Sequence, residues 1–235
     1  MKKYEQFFTA EYLMGPNCVR LLCALLERLP KRMTVGGTAL DLGCGKGLTS
    51  YIIARETGYR IYANDLWIGE EENRARFEAW GMGEQMIPVH EDANDLHFET
   101  EKFDLLVSVD SYHYFAGKPG FFAEKILPFM KPGAVALIAV PGIRDEYEAR
   151  TQELLTPWLG EEAYMLRSPS RWKEIIGEHE EIADVKIWEM GCFEAAWADW
   201  LNLKEENSFA AGDLEHYETI IKPYTNFVGM MIKKK

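Results

Sequence analysis

At 235 residues, with 47% apolar side chains, the chain is long enough to bury one full hydrophobic core, and its composition excludes a disordered or fibrous protein. A formal net charge of −12 makes an extended nucleic-acid backbone an unfavourable partner, because affinity for phosphates is built from lysine and arginine. No apolar run approaches the roughly 20 residues that span a bilayer, and the opening "MKKYEQFFTAEYLMGPN" lacks a signal-type apolar stretch, so the expectation is a cytoplasmic protein with a small-molecule substrate and no membrane partner.

The first predicted element is a helix over "PNCVRLLCALLERL", residues 16–29, with Pro16 at its first position and Cys18, Leu22, Leu25 and Leu29 on one face. With the residues before it, this helix makes an N-terminal lid and helical segment, residues 1–30, ahead of a cofactor-binding core at 38–141; "MGPN", residues 14–17, is placed to close over the cofactor, with a helix cap as the competing reading. "TALDLG" reads as a buried strand and "LTSYIIARETG" as the helix after it, capped by Gly58. "RIYAND" is a second strand, and "GEEENRARFEAWG" a helix with three glutamates at its positive end and Gly81 past its last turn. "MIPVHED" is a third strand, given an irregular or edge position by Pro88, and "FDLLVSVD" a fourth, apolar enough for burial on both faces. "KPGFFAEKILPFMKPG" predicts a helix and a turn, and "AVALIAVP" a fifth strand.

Beyond Pro141 the pattern loosens. A helical stretch with breaks at Pro157 and Pro169 precedes a sixth strand, "ADVKIWEMG", and "NFVGMMIKKK" reads as a last, antiparallel strand. The aromatic segment 191–225 between these two strands is too long for a hairpin turn and is expected to be an inserted cap over the site. Alternating strands and helices predict an α/β, Rossmann-like, doubly wound sheet of seven mostly parallel strands with helices on both faces, one domain over residues 1–235.

Cys18, Cys23, Cys44 and Cys192 form no C-x-x-C pair, and His90, His97, His179 and His216 show no paired spacing, so neither a metal site nor a disulfide framework is indicated. The informative constellation is four aspartates, Asp41, Asp65, Asp92 and Asp110, each at the exit of one of the first four strands. Taken singly, each is explained by the preference of aspartate for turns and helix caps. Together they place four acids at the carboxyl edge of a parallel sheet, where ligands bind. The glycine loop after the first strand, Gly43, Gly45 and Gly47, is not a nucleotide P-loop, and Leu48 stands where a dinucleotide fingerprint needs its third glycine. A pyrophosphate beside these acids would be repelled, whereas a ligand with positive charge and ribose hydroxyls fits, with Asp65 placed to accept from the ribose.

S-adenosylmethionine has those features. "ALDLGCGKG", residues 39–47, resembles the first motif of the class I S-adenosylmethionine-dependent methyltransferases; Asp65, "EDA" (91–93), "FDLLVSVDSYHYF" and "LPFMKPGAVALIAVP" continue the resemblance to Pro141. It implies that Gly43, Cys44 and Gly45 face the methionine portion and that Asp41 fixes its ammonium directly or through water. Asp65 would hold the ribose, Leu66 and Trp67 the adenine face, Asp92 and Ala93 the adenine edge, with Asp110 also beside the cofactor, which would leave as S-adenosyl-L-homocysteine. For Trp67, core packing is the competing reading.

In-line methyl transfer asks for alignment, water exclusion and, for some acceptors, a base; His113 is the first candidate and Tyr114 the second, against a merely hydrogen-bonding histidine. The cap aromatics Trp197, Trp200, Phe209, Tyr217 and Tyr224 are read either as packing or as acceptor-pocket walls that also attract an amine. Two other functions share the architecture: a nucleotide-dependent (NAD/FAD) oxidoreductase, and a protein that binds S-adenosylmethionine without catalysis. The acceptor atom and the oligomeric state are left open.

Overall fold

In the computed structural model, residues 2–29 and 36–235 are described; Met1 and Pro30, the ends of the N-terminal segment read from the sequence, lie outside the described residues. Seven strands form one sheet in the order β3-β2-β1-β4-β5-β7-β6: β1 Thr38–Leu42, β2 Arg60–Asn64, β3 Met86–Val89, β4 Phe103–Val109, β5 Met130–Ile143, β6 Ile182–Glu189 and β7 Thr225–Lys234. The pairs from β3 to β5 are parallel, while β7 runs antiparallel to both β5 and β6, as read from the sequence. Pro88 sits in β3 at the sheet edge, where its missing N–H leaves no ladder bond unmade.

Side chains alternate across the sheet, so neighbouring residues of one strand enter different cores. On one face, Ala39, Ile61 and Val107 pack with α1 (Cys18–Leu26), α2 (Leu48–Thr57), α3 (Glu70–Ala79) and α6 (Phe193–Leu201). On the other, Leu40, Leu106 and Ile138 pack with Phe122, Ile126 and the Trp172 and Ile175 side chains of α5 (Pro169–Ile176). The chain winds outward from β1 through β2 to β3, then restarts at β4 and winds the other way, so the β1/β4 boundary is the switch point of the sheet.

Several boundaries differ from the sequence reading for local reasons. Asn17, not Pro16, opens α1: its side-chain oxygen accepts from Val19 N at 3.0 Å, and the helix ends at Leu26. The helix expected within "KPGFFAEKILPFMKPG" is a π-helical turn, Phe122–Ile126, followed by a 3₁₀ turn, Leu127–Phe129, because Pro128 has no N–H to extend an α-helix. β5 begins at Met130, four residues before "AVALIAVP", and the "KPG" read as a turn is an irregularity in its pairing with β4. Pro157 lies inside α4 (Thr151–Leu159) instead of ending it, and Pro169 occupies the first turn of α5, where Ser168 caps by accepting from Arg171 N at 3.2 Å.

Candidate active site

The loop between β1 and α2 is shaped by its contacts. Gly43 and Gly47 adopt φ of +74° and +79°, and a Cβ at either would overlap a neighbour, the Ser111 hydroxyl at Gly43 and the Phe77 ring at Gly47. Gly43 N and Cys44 N both donate to Asn64 O, at 2.8 and 3.0 Å, and Asn73 Nδ2 donates to Gly45 O at 2.9 Å. The Ser108 and Ser111 hydroxyls donate to Leu42 O at 2.8 and 2.9 Å, so the end of β4 is fixed against the end of β1. The loop is therefore held from three sides, with its backbone open towards a cavity of about 590 Å³ at the switch point.

The four aspartates divide into different environments. Asp41 is fully buried beneath the loop and does not line the cavity; its Oδ2 accepts from Thr49 and Ser50 hydroxyls, both at 2.6 Å, while its Oδ1 has no partner. Burial lifts its carboxyl to about 6, the two hydroxyls pull against that, and Asp65 adds to it. Asp65 does line the cavity, and its carboxylate is occupied by backbone: Oδ2 accepts from Gly45 N at 2.7 Å, Oδ1 from Trp67 N at 2.8 Å and Ile68 N at 2.9 Å. It clamps the glycine loop to the exit of β2 and keeps acceptor capacity for one further donor. Asp92 lines the cavity near Ala93, with Oδ1 accepting from Asn94 N and Nδ2, both at 2.8 Å, which holds its carboxyl below the usual range.

Asp110 is the exception among the four. Its backbone is left-handed at φ +58°, it lines the cavity, and among the described residues its carboxylate accepts no hydrogen bond and meets no cation. Burial pushes the carboxyl up to about 7, with Asp213 adding to the shift. Beside it Tyr114 is pushed up to about 12, by burial first and then by Asp110 and Glu162.

The remaining wall takes in residues of the N-terminal segment and the exit of β2 but none of the cap. The lining includes Leu66, Trp67, Tyr12, Met14, Gly15 and Pro16, with Met14 Sδ 3.1 Å from where a Gly45 Cβ would be, so the N-terminal segment crosses the glycine loop. Trp67 is not packed in the core: it is 67% exposed, with its ring edge-on to Tyr114 at 5.1 Å. The segment 191–225 contributes no lining residue; Trp197 and Trp200 are buried against the sheet and its neighbours, and Glu162 and Met165, in a 3₁₀ turn after α4, close the cavity instead. Asp199 of α6 accepts from Asn17 Nδ2 at 2.6 Å and pairs with Arg20, which draws the cap towards α1 and away from the opening.

His113, expected to face the reacting atoms, lies behind Tyr114 and is not part of the cavity wall. Its ring is 5% exposed with Nδ1 unpartnered, and burial, aided by Arg167, pushes it down to about 3, leaving it neutral. Tyr114 has its ring at the cavity. Asn64, Ser111, Glu162 and Met165 were not singled out from the sequence. Asn64 stands beside Asp65 at a strand exit, which is a local mark of the site, whereas nothing local marks Glu162. Among the described residues no group of three His, Cys, Asp or Glu is arranged to hold a metal, and no helix is long and apolar enough to cross a membrane.

Residues 40–138 match the model of a methyltransferase domain family. A 121-residue stretch covering 52% of the chain is 29% identical to 2-methyl-6-phytyl-1,4-hydroquinone methyltransferase of a Synechocystis species, and it spans only 36% of that relative's length. The fold is similar to that of geranyl diphosphate C-methyltransferase from Streptomyces coelicolor, solved with S-adenosyl-L-homocysteine, at a TM-score of 0.71 and 14% identity, over 91% of this chain and 78% of that one. It is also similar to phosphoethanolamine N-methyltransferase 2 of Haemonchus contortus, solved with S-adenosyl-L-methionine, at a TM-score of 0.75 and 19% identity, over 98% of this chain and 56% of that one. The stretch that matches the methyltransferase domain model runs from β1 into β5 and so includes the switch point of the sheet.

Proposed function

We propose that the protein is a S-adenosylmethionine-dependent methyltransferase acting on a small-molecule acceptor. The observation that carries this reading is the open backbone of the glycine loop beside Asp65 and the Asp92–Ala93 turn, in one cavity at the sheet's switch point. The donor set fits the cofactor: the wall carries carboxylates for hydroxyls and positive charge, and its one basic residue among the described residues, Lys46, donates to Glu11 O, which leaves a pyrophosphate poorly matched. Bound there, S-adenosylmethionine supplies a methyl group on a sulfonium, ready for displacement. The chain contributes alignment and exclusion of water, through the glycine loop below, the N-terminal segment across it and the Gly160–Met165 turn above.

In this reading Gly43, Cys44 and Gly45 contact the methionine portion by backbone, Asp65 accepts from a ribose hydroxyl, Leu66 lies on the adenine face, and Asp92 with Ala93 meets the adenine edge. Asp41 acts from beneath, fixing α2 to β1 through Thr49 and Ser50. The free thiols of all four cysteines support a cytoplasmic location, and the charge of −12 supports a small acceptor over nucleic acid.

Isothermal titration tests the cofactor: S-adenosylmethionine and S-adenosylhomocysteine should bind in the micromolar range and NAD should not. Asp65→Ala removes both the ribose acceptor and the clamp on Gly45, and should weaken S-adenosylhomocysteine binding by about tenfold or more, matching one to two lost hydrogen bonds to a charged group. NAD binding in place of the adenosyl ligands would support the oxidoreductase reading. Transfer of label from methyl-labelled cofactor to any acceptor separates an enzyme from a protein that only binds.

A further inference from the structure

We propose, resting on the methyltransferase reading above, that the acceptor is a primary or secondary amine and that the Asp110 carboxylate receives its N–H. The acids of the cavity wall differ in how they are used. Asp65 and Asp92 are already committed to backbone or amide donors. Asp110, whose neighbour Ser111 lies against Gly43, has no hydrogen-bond partner, and Glu162 lines the same cavity near enough for both acids to act on Tyr114. No cation balances them: Lys46 is the one basic residue lining the cavity among the described residues, and its ammonium donates to Glu11 O. The groups around the Asp110 carboxylate are Asp213 from α7 (Ser208–His216), Cys18 from α1, Gly15 from the N-terminal segment and Tyr114 from its own loop, none of them basic.

An acceptor carrying a carboxylate or phosphate would meet the Asp110 and Glu162 carboxylates with no counter-charge beside them, whereas an ammonium would meet acids and the rings of Tyr114, Phe115 and Trp67. The proton balance follows from the same placement. An ammonium passes one proton to the Asp110 carboxylate, and the resulting amine nitrogen uses its lone pair to form the N–CH₃ bond. The S–CH₃ bond breaks with its electrons left on sulfur as the thioether, and the product leaves as the methylated ammonium while Asp110 returns its proton to water. The elevated affinity of this carboxyl for a proton, with its midpoint near 7, suits that exchange.

The sequence places Asp110 with the cofactor, and the test separates the two assignments. Protein saturated with S-adenosylhomocysteine is titrated with three ligands of one shape and different charge: phenethylamine, 2-phenylethanol and 3-phenylpropionate. The amine should bind at least about tenfold more tightly than the alcohol, with the carboxylate weakest. Asp110→Asn, isosteric and tolerant of left-handed backbone, should abolish the amine's advantage while changing S-adenosylhomocysteine affinity by less than about threefold. Equal binding of amine and alcohol, or preference for the carboxylate, overturns the proposal. A loss of S-adenosylhomocysteine affinity in the variant as large as the loss of amine affinity also overturns it, returning Asp110 to the cofactor. If the unmodified protein fails to bind S-adenosylhomocysteine at all, the methyltransferase reading itself falls, which is a different result from either.

Discussion

Asp41 and Asp110 are both acids with raised proton affinity, and they differ in what surrounds them. Asp41 is sealed under α2 with two hydroxyl donors on one oxygen and none on the other. Its carboxyl rises from 3.8 to about 6, so the folded state holds a proton that the unfolded chain has lost. For a raised acid the native state is favoured at low pH, and that advantage declines as pH rises from about 4 through 6. Asp41→Asn removes the charge and keeps an acceptor for Thr49 and Ser50. Urea unfolding should find the variant more stable than the parent at pH 7.5, by up to about 3 kcal/mol, and level with it near pH 4. Asp110 faces the cavity with Asp213, Cys18 and Tyr114 around it, and its carboxylate form predominates above pH 7. The preference of the protein for phenethylamine over the alcohol should therefore be present above pH 7 and decline about tenfold per pH unit below it, as titration at pH 6, 7 and 8 would show.

The elements carry their own stop and start signals, and these were legible without a structure. Gly58 ends α2 in the left-handed conformation, its N–H donating to Ala54 O at 2.9 Å, and Gly81, at φ +69°, follows α3. The start of α1 shows where such reading stops. Asn17 caps Val19 N, but its Nδ2 also donates to Asp199 of α6, a partner 182 positions away that no local pattern announces. Asn17→Ala loses the cap and leaves a carboxylate one donor short, so thermal unfolding should report a loss of about 1.5–3 kcal/mol. Gly47→Ala should cost at least as much: its φ of +79° is unfavourable for any Cβ, and that atom would enter the Phe77 ring.

Over the whole molecule, Asp213 joins parts of the chain that flank the sheet. Its two carboxylate oxygens accept from Trp158 Nε1 of α4 and Trp200 Nε1 of α6, each at 2.8 Å, and its charge also raises the proton affinity of Asp110. Asp213→Asn keeps one acceptor and forfeits the other. Hydrogen exchange should quicken in α4 and α6 together, and the pH midpoint of amine binding should move below 7 because one neighbouring negative charge is gone. A shift to higher pH would contradict the arrangement. A single residue thus links the order of the cap to the electrostatics of the cavity, although no cap residue forms its wall.

The sequence by itself determined the parallel sheet, its strand count and the glycine loop. Burial on two faces, helix caps and strand-exit acids leave their marks within a few neighbouring residues, where periodicity and turn chemistry act. It also brought Asp65, Ala93, Asp92 and Asp110 to one edge, because parallel strands end on the same side. Only the tertiary structure decided which of these acids remain unpartnered, that Asp41 is shut beneath α2, that His113 is buried outside the cavity wall, and that Glu162 and not the aromatic cap closes it. Those outcomes depend on contacts between segments far apart in the chain, such as Asn17 with Asp199 and Trp158 with Asp213, whose energies arise only once the elements have packed.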